Sequence, residues 1–304
     1  MHSHPLDRPI SGTIKTPLVR AVLYLMTSAL LFSSMGVLIR IVSRHVDNST
    51  VVFSRNLAGV LLLGPVLWLH SGKKIWVTQR LWLHLLRATS GLTAMYGFFY
   101  ALAHIPLANA MVFTYSAPIF IPVLAWLFLG ERITAKIIYT TVLGLIGVIF
   151  VCKPHTSLWN LMTLVGLGSA FLAAIAFICV RALASTETPG KIVLYFASIS
   201  TLLSALPFLK STGLHPLTLH FSEFLLLPGI GILATLSQLC LSKAYSLAPA
   251  SRIGPINYLA IVLAGFYAWL LWGEVPDASA WTGFVLIIYA SWLCLNAEPP
   301  KALD

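Results

Sequence analysis

Ten apolar runs of bilayer-spanning length take up most of this chain, at about residues 20–43, 50–70, 82–103, 107–129, 135–152, 160–183, 190–209, 224–246, 252–272 and 279–297. A helix needs roughly 20 mainly apolar residues to cross the hydrocarbon core of a bilayer. Within that core every backbone N–H and C=O must be satisfied inside the segment, so runs of this length predict spanning helices. Composition agrees: of 304 residues, 58% are hydrophobic and only 9% charged, and mean hydropathy is +0.89, whereas soluble domains carry about 25% charged residues. Ten spans leave only short loops and tails, so any chemistry has to reside in the bundle. The expected fold is all-α and integral to a membrane.

The formal net charge is +10, and its placement sets direction. One set of connecting segments holds Arg8, Lys15 and Arg20, then Lys73, Lys74 and Arg80, then Arg132 and Lys136, then Lys191, then Lys243 and Arg252, then Lys301. The opposite loops hold little beyond Arg44, Lys153 and Lys210. By the positive-inside bias the richer side faces the cytoplasm, which puts both termini there and predicts a multi-pass protein of the bacterial inner membrane. Basic residues at span ends serve insertion, so no nucleic-acid partner is expected. Cys152, Cys179, Cys240 and Cys294 are scattered, mostly in apolar surroundings, with no CxxC spacing or His partner that would make a metal site plausible, and read as packing residues. Neither a metal nor a cofactor is expected.

The chain is also duplicated. P-L-A-N-A-M-V-F-T-Y-S-A-P-I-F-I-P-V-L-A-W-L-F-L-G-E, residues 106–131, aligns without a gap on P-A-S-R-I-G-P-I-N-Y-L-A-I-V-L-A-G-F-Y-A-W-L-L-W-G-E, residues 249–274. The alignment matches Tyr115 with Tyr258, Ala125-Trp126-Leu127 with Ala268-Trp269-Leu270, and the closing Gly-Glu pairs. A looser match joins S-A-L-L-F-S-S-M-G-V-L-I-R, 28–40, to S-A-F-L-A-A-I-A-F-I-C-V-R, 169–181, pairing Arg40 with Arg181. The unit is five spans long. Because five is odd, the second copy crosses the membrane the other way up, and the expectation is two inverted five-helix repeats. The division is 1–19 tail, 20–152 first repeat, 153–159 linker, 160–297 second repeat and 298–304 tail. Inverted repeats suit alternating access, because similar halves facing opposite ways have inward- and outward-open states of comparable energy.

This pattern resembles the drug/metabolite transporter superfamily, in particular its ten-helix EamA branch, over roughly residues 20–297. The residues that carry the likeness are the duplicated unit, Gly130-Glu131 and Gly273-Glu274 closing the fourth and ninth spans, A-L-A-H-I-P-L-A-N-A before span four, and G-L-I-G at 144–147. The stretch 113–128 is also similar to a subgroup that takes up S-adenosylmethionine. The resemblance implies a secondary transporter, not an enzyme. Its solute would be an amino acid, a nucleoside-like compound or an S-adenosylmethionine-like compound, held in a central cavity lined mainly by spans three, four, eight and nine. The implied partners are that solute and the lipid bilayer, with a homodimer left open.

Polar side chains at bilayer depth are costly unless they face a cavity or a partner. Tyr96, Tyr115, Ser116, Ser237, Gln238, Asn257 and Tyr258 fall near the expected mid-plane and are the candidate solute contacts, with helix-to-helix hydrogen bonding as the alternative for each. Arg40, Arg55, Arg87 and Arg181 lie within a few turns of span ends, where a long stem lets a guanidinium snorkel to the headgroups or meet a substrate carboxylate. Arg55, beside Asn56, is the one expected to receive a negatively charged substrate group. All nine acidic residues fall at span ends or in loops, so facilitated diffusion or exchange is expected in place of tight proton coupling. Pro118, Pro122 and Pro255 are candidate bending points. Glu131 and Glu274 are either dipole partners of the following helices, with Thr134 and Asp277 as caps, or gates. The rival readings are a membrane-embedded enzyme acting on a lipid or peptide, and a channel.

Overall fold

The structure is a computed structural model that describes residues 15–43, 45–104, 115–153, 161–212 and 221–295. Most of the two tails, Pro106 with the first part of the fourth apolar run, and residues 154–160 lie outside the described residues. The helices are α1 (Lys15–Val42), α2 (Asn48–Ser71), α3 (Leu81–His104), α4 (Ala117–Leu129), α5 (Ala135–Cys152), α6 (Leu161–Leu183), α7 (Pro189–Thr212), α8 (Phe221–Leu247), α9 (Leu259–Trp272) and α10 (Ala278–Leu295). A 3-10 turn, Gly72–Trp76, follows α2, and a short helical turn, Ala250–Ile253, with a second 3-10 turn, Gly254–Tyr258, leads into α9. No strand occurs among the described residues.

Eight helical segments among the described residues are long and apolar enough to cross a membrane, and α4 is a shorter apolar helix. α3 has the length, but His84, Arg87, Thr89, Ser90 and Thr93 dilute its apolar character. Its polarity is arranged inside out: His84, Arg87 and Ser90 are buried while Trp82, Leu85 and Leu86 are exposed. Leu69 is 83% exposed and Leu202 76%. In water such apolar surface would drive association; against lipid it is the ordinary solvent face. The protein is a multi-pass, all-helical membrane protein.

Short connections predict that successive helices pack as neighbours. The structure corrects this, because the most extensive packing joins helices from different halves of the chain. α1 packs on α8 and α9, α3 on α6 and α7, α2 on α7 and α8, α4 on α6, and α5 on α10. Shifting each helix number by five turns α1·α8 into α6·α3, α1·α9 into α6·α4 and α2·α8 into α7·α3, while α2·α7 and α5·α10 map onto themselves. A short loop fixes the direction of the next helix but not its partner. Between apolar helices in lipid, close fit and interhelical hydrogen bonds decide instead.

The fourth and ninth spans end alike. Gly130 and Gly273 take left-handed conformations, φ +66° and +67°, and donate to the carbonyls of Ala125 and Ala268. The next N–H, of Glu131 or Glu274, donates to the same carbonyl. Glycine is needed because a Cβ strains this backbone, and the cap fixes where each glutamate begins. Thr134 and Asp277 then cap α5 and α10, accepting from the N–H of Ile137 and Ala280.

Candidate functional site

Between α2, α7 and α8 lies a narrow, nearly closed cleft of about 10 Å³, lined by Arg55, Asn56 and Gly59, by Val193, Phe196 and Ala197, and by Ala234, Thr235 and Gln238. Arg87 reaches its wall from α3. Its Nη2 donates to Gln238 Oε1 at 2.7 Å, and its guanidinium lies over the Phe196 ring, 3.9 Å from the centroid. Gly91, one turn along α3, makes room for this: a Cβ there would stand 2.7 Å from Arg87 Nη1. Arg55 Nη1 approaches the Met95 sulfur at 2.9 Å. Arg55 is 9% exposed, Arg87 4% and Asn56 3%. The Nε of both arginines and the Nδ2 of Asn56 meet no acceptor among the described residues. Neither arginine snorkels, since both side chains turn into the protein. A larger groove, at Gly64, Pro65, Trp68, Leu69, Ile75 and Trp76, is almost wholly apolar and offers nothing to orient a polar solute.

Of the expected solute contacts, the structure brings Arg55 and Gln238 together in this cleft. Tyr96 is partly buried on α3, and its hydroxyl meets no partner among the described residues. Ser237 makes a reciprocal clasp with Ser28 of α1, each hydroxyl donating to the other's carbonyl at 2.9 and 3.0 Å. Tyr258 is fully buried; its ring covers Gly144 and its hydroxyl donates to the Thr141 carbonyl at 3.3 Å. Tyr115 packs in the same cluster, between α5 and α10. Asn257 Nδ2 donates to the Tyr245 hydroxyl at 3.0 Å and to the Gly254 carbonyl. Ser116 is buried beside Ala117, where α4 begins with Pro118, and Pro122 lies inside that helix. Pro255 opens the 3-10 turn before α9. Arg87 was legible in the sequence only as one of four arginines near span ends. Arg55 stood apart through its place beside Asn56, whereas nothing local distinguished Arg87.

Two of the ion pairs between the halves are made by repeat mates. Arg181 Nε meets Glu131 at 3.3 Å, with 29% and 11% of the side chains exposed, and Arg40 meets Glu274 at 2.5 Å, with 46% and 52% exposed. Glu131 does more than pair. Its carboxylate accepts from the backbone N–H of Ala250 and Ser251 at 3.0 and 2.9 Å and from the Ser251 hydroxyl at 2.7 Å. It therefore caps a turn in the other half of the chain, not the helix that follows it. α8 runs antiparallel to α1, with Leu38 beside Gly229 and Ser28 bonded to Ser237. Tyr245, whose carbonyl accepts from Arg181, therefore lies near the start of α1, whereas Arg40 lies at its end. The two pairs occupy opposite ends of the bundle.

At the Glu131 end further bonds cross between halves: Arg80 to the Ala182 carbonyl, Thr78 to Glu187, and Tyr195 to the Trp76 carbonyl. Lys191 pairs with Glu187 at 2.7 Å. Burial pushes the Glu187 carboxyl up, but the hydrogen bonds from Lys191 and Thr78 outweigh it and hold the group below the usual carboxylate range. At the other end the cross-half contacts include the exposed Arg40–Glu274 and Lys153–Asp277 pairs, the Ser49–Ser211 bond, the Ser279 hydroxyl donating to the Phe150 carbonyl, and Arg40 over the Trp272 ring. No group of three or more metal-ligating side chains occurs among the described residues.

Residues 19–152 and 160–296 each match the EamA-like transporter family. The chain belongs to that family. Among its relatives, a pseudopaline exporter of Pseudomonas aeruginosa is 34% identical over 270 residues, 88% of this chain and 93% of the relative. A riboflavin transporter of Vibrio cholerae is 26% identical over 95% of this chain and 97% of its own. An S-adenosylmethionine uptake transporter of Rickettsia felis is 29% identical over 88% and 89%. A solved crystal structure matches with TM-score 0.75 at 18% identity, covering 90% of this chain and 97% of that one, which speaks to the fold alone. The family and these relatives are transporters, so this EamA-like chain is a transporter and not an enzyme.

Proposed function

We propose that the chain is a secondary transporter, a facilitator or exchanger, that carries a small metabolite across the bacterial inner membrane by alternating access. Its working unit is ten spanning helices in two inverted repeats, 20–152 and 160–297, joined by the linker 153–159, with both tails cytoplasmic. One observation carries the reading: packing partners exchange between the halves around a buried polar cleft, with an ion pair of repeat mates at either end. Two near-equivalent halves turned over relative to one another have two packings of similar energy, open to opposite sides. The positive-inside bias assigns the Glu131 end to the cytoplasm. That end is the more tightly tied, so this conformation is closed inward. Opening it requires Glu131 to release Ala250, Ser251 and Arg181 while the Arg40–Glu274 pair tightens opposite, with Pro118, Pro122 and Pro255 taking up the bend.

Arg55 and Gln238 touch the solute and Tyr96 stands near it. Ser237, Tyr258 and Asn257 hold the surrounding helices, and Tyr115 and Ser116 complete the packing. The relatives' names support a solute of metabolite size, such as an amino acid, a nucleoside-like compound or an S-adenosylmethionine-like compound. Proteoliposome counterflow with a pool of labelled amino acids, nucleosides and sulfonium compounds tests this reading. Saturable exchange that is accelerated by solute on the far side supports a carrier, and flux that rises without saturation marks a channel. Accumulation driven by an imposed pH gradient replaces facilitation with proton coupling.

A further inference from the structure

Three other arginines of this bundle meet oxygen acceptors, although Arg252 Nε, too, has no partner among the described residues. Arg181 has the Glu131 carboxylate and the Tyr245 carbonyl, and Arg80 and Arg252 have the carbonyls of Ala182 and Leu295. Arg55 and Arg87 are more deeply buried and have only a thioether and one neutral amide oxygen. The two guanidiniums also lie within electrostatic reach of each other. The chain's acidic residues all fall at span ends or in loops, and among the described residues no carboxylate pairs with either arginine. Two buried, adjacent and uncompensated cations are unfavourable in an empty protein. Their persistence beside a cleft lined by Arg55, Asn56 and Gln238 points to a ligand that supplies the missing negative charge.

We infer that the transported solute is an organic dianion, and that Arg55 and Arg87 receive its two carboxylates while Asn56 and Gln238 bond its neutral polar part. This rests on reading the cleft as the solute pathway. Each guanidinium presents a planar fork that matches a carboxylate through two parallel hydrogen bonds. Phe196 beneath Arg87 and Gly91 beside it fix that fork before the solute arrives. The cleft as it stands, about 10 Å³, holds no more than a single water, so it has to widen between α2, α7 and α8 to admit the solute.

The test is thermal unfolding of the full chain in uncharged detergent, with dicarboxylates from succinate to N-acetylglutamate compared with their diamides and with S-adenosylmethionine. At least one dicarboxylate should raise the unfolding temperature and its diamide should not. Arg55→Gln and Arg87→Gln should each need at least tenfold more dicarboxylate for the same rise, while Arg55→Lys and Arg87→Lys lose less. Without solute, Arg87→Gln should unfold at a higher temperature than the wild type, because an unpaired buried charge has gone; an arginine kept for structure gives the opposite shift. Equal stabilisation by the diamide or by S-adenosylmethionine, or undiminished stabilisation in both glutamine variants, overturns the inference. So does phosphatidylglycerol reproducing the rise, since that assigns the arginines to a lipid headgroup. Counterflow of the same compounds separates the two readings. Saturable exchange of neutral or cationic solutes alone leaves a transporter without a dianion, and arginine-dependent dicarboxylate binding with no exchange of any solute leaves the anion site and removes transport.

Discussion

Gly144 has no space for a side chain: a Cβ placed there would stand 2.5 Å from the Tyr258 ring, which is fully buried and bonded to the Thr141 carbonyl. Gly144→Val should therefore lower stability by about 1–3 kcal/mol, the usual range for overpacking a filled core, read as a lower unfolding temperature in detergent. Glu187 offers a second test at this scale. Its folded carboxyl is held below the usual range, so the ionised form is favoured by folding. The stability it supplies is complete above the unfolded value of about 4.3 and is lost as pH falls through the lower folded value. Glu187→Gln should cost about 1 kcal/mol at pH 7, and the difference from wild type should shrink as pH falls through the depressed folded value, measured by melting at a series of pH values. Tyr258 was legible in the sequence as the repeat mate of Tyr115. The sequence did not show that its hydroxyl is used up on a carbonyl, because that bond joins segments far apart in the chain.

Elements show why the Gly-Glu signature recurs. A left-handed glycine ends α4, and the glutamate after it caps the turn at Ala250–Ile253, contributed by the other repeat. Glu131→Ala removes one carboxylate from two backbone N–H groups, a hydroxyl and a guanidinium. Stability should fall by about 2–4 kcal/mol, a lost cap together with an unpaired partly buried charge. Cysteines introduced along the cleft should become accessible to a membrane-impermeant thiol reagent from the cytoplasmic side. Glu274→Ala should cost much less, under about 1 kcal/mol, because its pair with Arg40 is half exposed. The helices bounded by these caps were legible because hydropathy over a run of residues is a local sum. The inward polarity of α3 was not. In lipid the outer face of a helix is as apolar as a core, so no polar stripe announces which way it turns.

For the whole molecule, the two arginines make the occluded state without solute unfavourable, since reorientation would have to pass through a closed cleft with two uncompensated cations. A bound dianion removes that barrier. Exchange should therefore outpace net flux, with proteoliposomes preloaded with a transported dicarboxylate taking up label at least tenfold faster than empty ones; equal rates would count against a charge-matched cleft. The asymmetry of the molecule lies in its ends and not in its halves. The core packing obeys the five-helix exchange, whereas one end is closed by buried bonds and the other by exposed ion pairs.

Spanning character, duplication and the Gly-Glu pairs that close two spans were legible in the sequence by itself, because each is either a sum over neighbouring residues or a comparison of the chain with itself. Only the tertiary structure decided which helices embrace across the halves, that Glu131 caps a turn of the opposite repeat, and that Arg55 and Arg87 turn inward while Arg40 faces out. These depend on the rotation of each helix about its axis. In a bilayer that rotation is set by close packing between apolar surfaces and not by the contrast between apolar and polar faces that a soluble sequence displays.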